Sequence, residues 1–113
     1  MVQTKRIYEP ASKSDGYRIL VDRLWPRGIK KETAAIDVWM KEVAPSNELR
    51  KWFNHEADKW TQFKTKYRAE LKNTAALKEL HAAVEKYKTV TLLYGAKDEM
   101  HNQAVALEEM LKG

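Results

Sequence analysis

Apolar residues form two short continuous runs, Ile19, Leu20 and Val21, and Val90 to Tyr94 with Thr91 among them. Asp15 and Gly16 precede the first run, Pro26 and Gly28 follow it, and Gly95 follows the second. Short runs rich in branched residues, with turn residues on both sides, read as strands buried on both faces. The pattern predicts strands over residues 18–24 and 89–94, parallel to one another, with Leu20, Val21, Leu92 and Leu93 fully buried. A weaker run predicts a strand over 6–9, stopped by Pro10 because proline lacks an amide hydrogen for the ladder. Residues 36–41 alternate apolar and polar, which fits a half-exposed strand. A helix competes there, since the stretch Glu32, Thr33, Ala34 and Ala35 contains good helix formers.

The period then changes. Trp60, Phe63, Tyr67 and Leu71 recur at three- and four-residue steps, with lysines and Arg68 on the other faces. This predicts a helix over 58–72 begun by Asp58. Leu77, Leu80, Val84 and Tyr87 predict a second over 74–87. Met100, Ala104, Leu107 and Leu111 predict a third over 101–111. Ser46 reads as the N-cap of a shorter helix through Trp52 and Phe53, with Glu48 in its first turn. Aromatic stripes at this spacing are assigned to packing. The link at 11–16 is too short for a crossover helix. The first two strands are therefore either antiparallel neighbours or parallel with a compact link.

The length of 113 residues fits one domain over 1–113. With no cysteine, the chain has no disulfide, thiolate metal site or cysteine nucleophile. No apolar signal core or bilayer-length run is present, so a cytoplasmic protein without membrane contact is expected. The charge is unevenly placed. Residues 1–31 carry eight Lys or Arg against three Asp or Glu, an excess equal to the whole chain's +5. Residues 32–113 balance at thirteen each. A concentrated positive field attracts anionic partners.

Ligands of open α/β sheets bind beyond the carboxyl ends of the strands. Asp22, Arg23, Trp25 and Arg27 fall at one such end, and Lys97 follows the other. Arg23, Arg27 and Lys97 are expected to converge on an anion, Trp25 to supply an apolar wall, and Asp22 to orient an arginine or accept a proton. The structural alternative is an Asp22–arginine pair with Trp25 as a core plug. His101 is a candidate acid or base near the last helix start. His55 lies near Glu56 and Asp58, but no second ligand pair follows, so no metal is expected. No phosphate-loop, zincin or nucleophile-elbow pattern is present.

The stretches at 17–28 (YRILVDRLWPRG), 44–53 (APSNELRKWF) and 91–98 (TLLYGAKD) resemble the YeaO-like family, small bacterial proteins carrying a domain of unknown function. The resemblance spans nearly the whole chain. It implies a three-layer α/β fold with a small, largely parallel sheet covered by helices, and favours the parallel choice for the first two strands. It brings no reaction, substrate or catalytic residues. Asp22, Arg23, Trp25, Pro26, Arg27 and Lys97 are the matching positions.

Three functions follow as expectations. The first is a site for a small phosphate- or carboxylate-bearing ligand. The second is a nucleic-acid-binding module using the basic N-terminal third with Tyr8, Trp25 and Trp39 for stacking. The third is a protein-interaction module with a basic face. Catalysis and oligomeric state stay open, and no cofactor is expected.

Overall fold

The computed structural model describes residues 1–112. Four strands form one sheet: β1 (Val2–Arg6), β2 (Tyr17–Leu20), β3 (Val38–Trp39) and β4 (Val90–Tyr94). Their order is β1-β4-β2-β3, and every neighbouring pair is parallel. The central strand β4 is buried along its whole length, as a run apolar on both faces requires.

The first two strands are parallel, but β4 lies between them. Residues 7–16 must therefore return the length of a strand, roughly 17 Å, and step sideways by roughly 10 Å. A ten-residue link reaches roughly 33 Å when extended, so it needs no helix. It holds only a 3-10 turn, Lys13–Asp15.

β1 lies earlier than its apolar pattern predicts: it covers Val2–Arg6, and Ile7 to Glu9 form a turn. The pattern fails because Gln3 and Lys5 face inward as hydrogen-bonding groups: Gln3 donates to Thr91 Oγ1 and Lys5 to Asp15. β2 stops at Leu20, short of residue 24. The amide of Val21 still reaches Leu93 O at 3.0 Å, after which a side chain replaces the ladder: Asp22 accepts the amide of Gly95. Residues 36–41 contribute only the two-residue strand β3 before a 3-10 turn, Lys41–Val43.

The helices are α1 (Lys31–Ala34), α2 (Asn47–Phe53), α3 (Trp60–Leu71), α4 (Ala75–Lys86) and α5 (Gln103–Lys112). Ser46 caps α2 by accepting from the amide of Leu49, and Thr74 caps α4 by accepting from that of Leu77. The helix expected from Asp58 begins as a 3-10 turn, Ala57–Lys59, and becomes α3 at Trp60. α5 starts two residues late because Asn102 acts as its cap, its Oδ1 accepting from the amide of Val105 at 3.0 Å.

The result is a three-layer α/β fold with unequal outer layers. One sheet face presents Ile19, Val21, Val90, Leu92 and Tyr94 to Phe63, Tyr67, Leu80 and Leu107 of the helices. The other presents Leu20 and Leu93 to Ile7, Trp25, Ile29 and Trp39. That second layer consists of α1 and connecting segments. Leu20, Val21, Leu92 and Leu93 are all fully buried. No helix among the described residues is long and apolar enough to cross a membrane.

Candidate functional site

A cavity of about 240 Å³ opens beyond the carboxyl ends of β2 and β4. The segment after β2 delivers Asp22 and Arg23 to it, the loop after β4 delivers Ala96, and the start of α5 delivers Gln103. α2 and the turn after it add Arg50, Phe53 and His55.

Asp22 is the hinge of this arrangement. One carboxylate oxygen accepts the Gly95 amide at 2.9 Å, and the other accepts the side-chain amide of Gln103. Gly95 permits this approach, since a Cβ there would lie 3.0 Å from Asp22 Oδ2. Arg6 holds the same loop from β1, donating to the carbonyls of Ala96 and Gly95. Burial raises the Asp22 pKa to about 6, although the two amides and the Arg50 charge pull the other way.

Arg23 fixes one cavity wall. Its Nη2 donates to Ala44 O at 3.0 Å and its Nε to Pro45 O at 3.3 Å. Both acceptors are neutral carbonyls, so these bonds bring no negative charge to offset the guanidinium beside the cavity. His101 lines the cavity through a second assembly. Its Nδ1 lies 3.0 Å from Asp98 Oδ2, and its ring stands edge-on to Trp60 at 5.3 Å. Asp98 also accepts the amides of Met100 and His101. Those bonds, the Met100 amide foremost, hold its carboxyl below the ordinary aspartate range.

The structure thus brings Asp22, Arg23 and His101 together at one cavity and leaves Trp25, Arg27 and Lys97 outside its lining. Trp25 belongs to the thin face of the sheet. Its indole donates to Ile29 O at 2.7 Å, meets Trp39 edge to face, and carries the Lys31 ammonium over its ring. Arg27 is exposed, and its carbonyl accepts the Tyr8 hydroxyl. Lys97 is exposed in the loop after β4. Gln103 and Arg50 are not among the candidates that the sequence offers, and His55 is weighed there only as a metal ligand. The position of Gln103 was readable in principle, because a helix following β4 begins at the same sheet edge as Asp22. Arg50 and His55 reach the cavity only through the packing of α2, and no local pattern marks them. Among the described residues no group of three or more His, Asp or Glu side chains has metal-binding proximity.

The geometry defines a small, all-parallel, three-layer α/β protein with one hydrogen-bonded acid and several cationic or ionisable side chains at its carboxyl edge. The chain belongs to the DUF488-N3i family, described as the inactive DUF488-N3 subclade, whose model matches residues 1–113. It is 49% identical over 111 residues to the uncharacterised protein YeaO of Escherichia coli K12, covering 98% of this chain and 96% of that one. It is 38% identical over 112 residues to uncharacterised protein Rv3073c of Mycobacterium tuberculosis H37Rv and to Mb3100c of Mycobacterium bovis, covering 99% of this chain and 94% of each relative. No solved structure matches the chain.

Proposed function

We propose that the protein binds a small anionic ligand, a carboxylate or phosphate ester, in the cavity at the carboxyl ends of β2 and β4. The observation that carries this reading is Arg23: its guanidinium stands at the cavity wall, held in place by two backbone carbonyls. A planar fork of this kind suits two-point recognition of a carboxylate or phosphate. Arg50, His55 and His101 line the same space, and among the described residues Asp22 is the one carboxylate that lines it. Raised to about 6, the Asp22 carboxyl sheds part of its charge in mildly acidic solution, which reduces repulsion of an anion. The volume of about 240 Å³ lies below the roughly 300–1,000 Å³ of drug-sized pockets and favours a small metabolite. The description of the family as an inactive subclade supports binding without turnover.

The test is thermal unfolding with inorganic phosphate, a panel of small mono- and dicarboxylates, and a short oligonucleotide. Saturable stabilisation by one of the small anions is expected, and Arg23→Ala should remain folded and lose it. Arg23→Lys should retain only part, because the charge stays and the fork is gone. If no small anion stabilises the wild-type protein, the proposal fails. If the oligonucleotide alone stabilises it, with steep salt dependence, the nucleic-acid reading replaces it.

A further inference from the structure

A second groove lies between α3 and α5, with a volume of about 460 Å³. α3 turns Phe63, Tyr67 and Leu71 into the core, which leaves Lys64, Arg68 and Lys72 on an outward stripe. Ala69 of α3 and Met110 of α5 supply apolar lining between them, over the buried Ala106 at the floor. Lys64 reaches across to Glu109 at 3.4 Å. Arg68 and Lys72 pair with no carboxylate among the described residues, and both are exposed. The imbalance extends around them. Residues 59–72 carry Lys59, Lys64, Lys66, Arg68 and Lys72, with Glu70 as the sole acid. Glu70 in turn accepts from the amide and hydroxyl of Ser46. The segment that balances in number, residues 32–113, is thus unbalanced in space.

We propose that this groove docks an acidic amphipathic helix of a protein partner. Three features select that occupant. Lys64, Arg68 and Lys72 recur every four residues, a rise of roughly 6 Å per step, which a helix bearing carboxylates at the same spacing reproduces. Ala69 is small and exposed and lets a helix approach closely, and the half-buried Met110 adapts to an apolar side chain. The cationic row is also short, roughly 12 Å. It would meet about three phosphates, fewer than the six to ten that give strong electrostatic binding to nucleic acid.

The probe is a synthetic helical peptide with glutamates every fourth position beside a stripe of leucines, titrated into the isotope-labelled full chain. The expected result is saturable amide shifts centred on Thr65, Ala69, Ala106 and Met110, weakening as salt rises. The double variant Arg68→Glu, Lys72→Glu should bind about tenfold more weakly or worse, with its core resonances unmoved. Lys72→Gln alone should fall between. A peptide of the same composition with its glutamates scrambled off the stripe should bind more weakly than the designed one. Equal binding by the scrambled peptide, or shifts centred on the basic N-terminal segment, would overturn the proposal. So would groove shifts caused more strongly by an oligothymidylate, which would make the groove a nucleic-acid surface. Groove shifts that vary with protein concentration in the absence of peptide would assign it to a second copy of the chain.

Discussion

Asp15 and Asp22 flank the same strand, β2, one before its start and one after its end, and their surroundings differ in kind. Asp15 is 3% exposed and meets full positive charges, with Arg18 Nη1 and Lys5 Nζ both in ion-pair contact. The amide of Ser12 adds a third donor at 3.0 Å. Burial alone would raise its pKa, but the Ser12 amide, Lys5 and Arg18 together hold it below the ordinary value. Asp22 meets neutral donors, the amides of Gly95 and Gln103, with Arg50 acting only as a nearby charge. There burial wins, and the carboxyl rises to about 6. Full charges turn a buried carboxylate into a lock. Neutral dipoles leave it able to exchange its proton, and the structure puts that acid beside the cavity.

The strongest break in the comparison is Asp15→Ala. Arg18 is itself buried and also donates to the carbonyls of Ala34 and Ala35, so it ties β2 to the end of α1. Without Asp15 its charge stays buried and uncompensated. A loss of about 3–5 kcal/mol is expected in urea unfolding, the cost of removing one partner from a buried pair. Replacing Asp15 and Arg18 together with apolar residues of similar size should recover much of it. A single-variant loss under about 1 kcal/mol would show that the amino end is not held by charge.

Two glycines extend the same contrast to the backbone. Gly16 adopts φ 66° at the amino end of β2, and a Cβ there would lie 2.3 Å from the Thr89 carbonyl oxygen. Gly28 adopts φ 81° beyond the carboxyl end, with nothing within 4 Å of a Cβ. Gly16→Ala must displace backbone as well as adopt a left-handed conformation, and should cost roughly 3 kcal/mol. Gly28→Ala carries the conformational term alone, about 1 kcal/mol. Thermal unfolding of the two variants side by side measures the difference, and equal losses would mean that the tight contact at Thr89 relaxes freely.

The central strands were legible because they are buried on both faces, so apolar runs mark them without ambiguity. β1 was displaced in the reading because its inward positions Gln3 and Lys5 are polar and satisfied by Thr91 and Asp15. A pattern that equates polar with exposed cannot see that. The place of Asp22 and Arg23 was legible from the rule that sites lie beyond strand ends, and that of His101 from its position near the start of the last helix. Trp25, Arg27 and Lys97 satisfy the same rule in sequence. After Asp22, however, the chain turns to the thin face of the sheet, where Trp25 packs against Trp39. Which way a chain turns after a strand depends on packing that no residue near Trp25 encodes alone.

The smallest effect is also the most specific to the cavity. Because Asp22 has a raised pKa in the folded state, the native protein binds its proton more tightly than the unfolded chain does. Its contribution to stability is therefore full below the ordinary aspartate value and declines as pH rises through about 6. Asp15 and Asp98 have lowered values and act oppositely, losing their contributions only in more acidic solution. The full Asp22 displacement corresponds to at most roughly 3 kcal/mol, and screening at a part-exposed site reduces the expectation to on the order of 1 kcal/mol. Asp22→Asn supplies the test. The new amide can accept from Gly95 through its oxygen, and Gln103 can turn its side chain to accept from its nitrogen. The variant should fold with a stability within about 1 kcal/mol of wild type at neutral pH. Subtracting its urea-unfolding profile from that of wild type between pH 4 and 7 removes the histidines common to both and leaves Asp22. A difference that favours wild type increasingly as pH falls confirms an acid held by neutral donors. A difference that is flat, or that favours wild type increasingly as pH rises, would place Asp22 with Asp15 as a charge-paired carboxylate and erase the distinction between the two ends of β2.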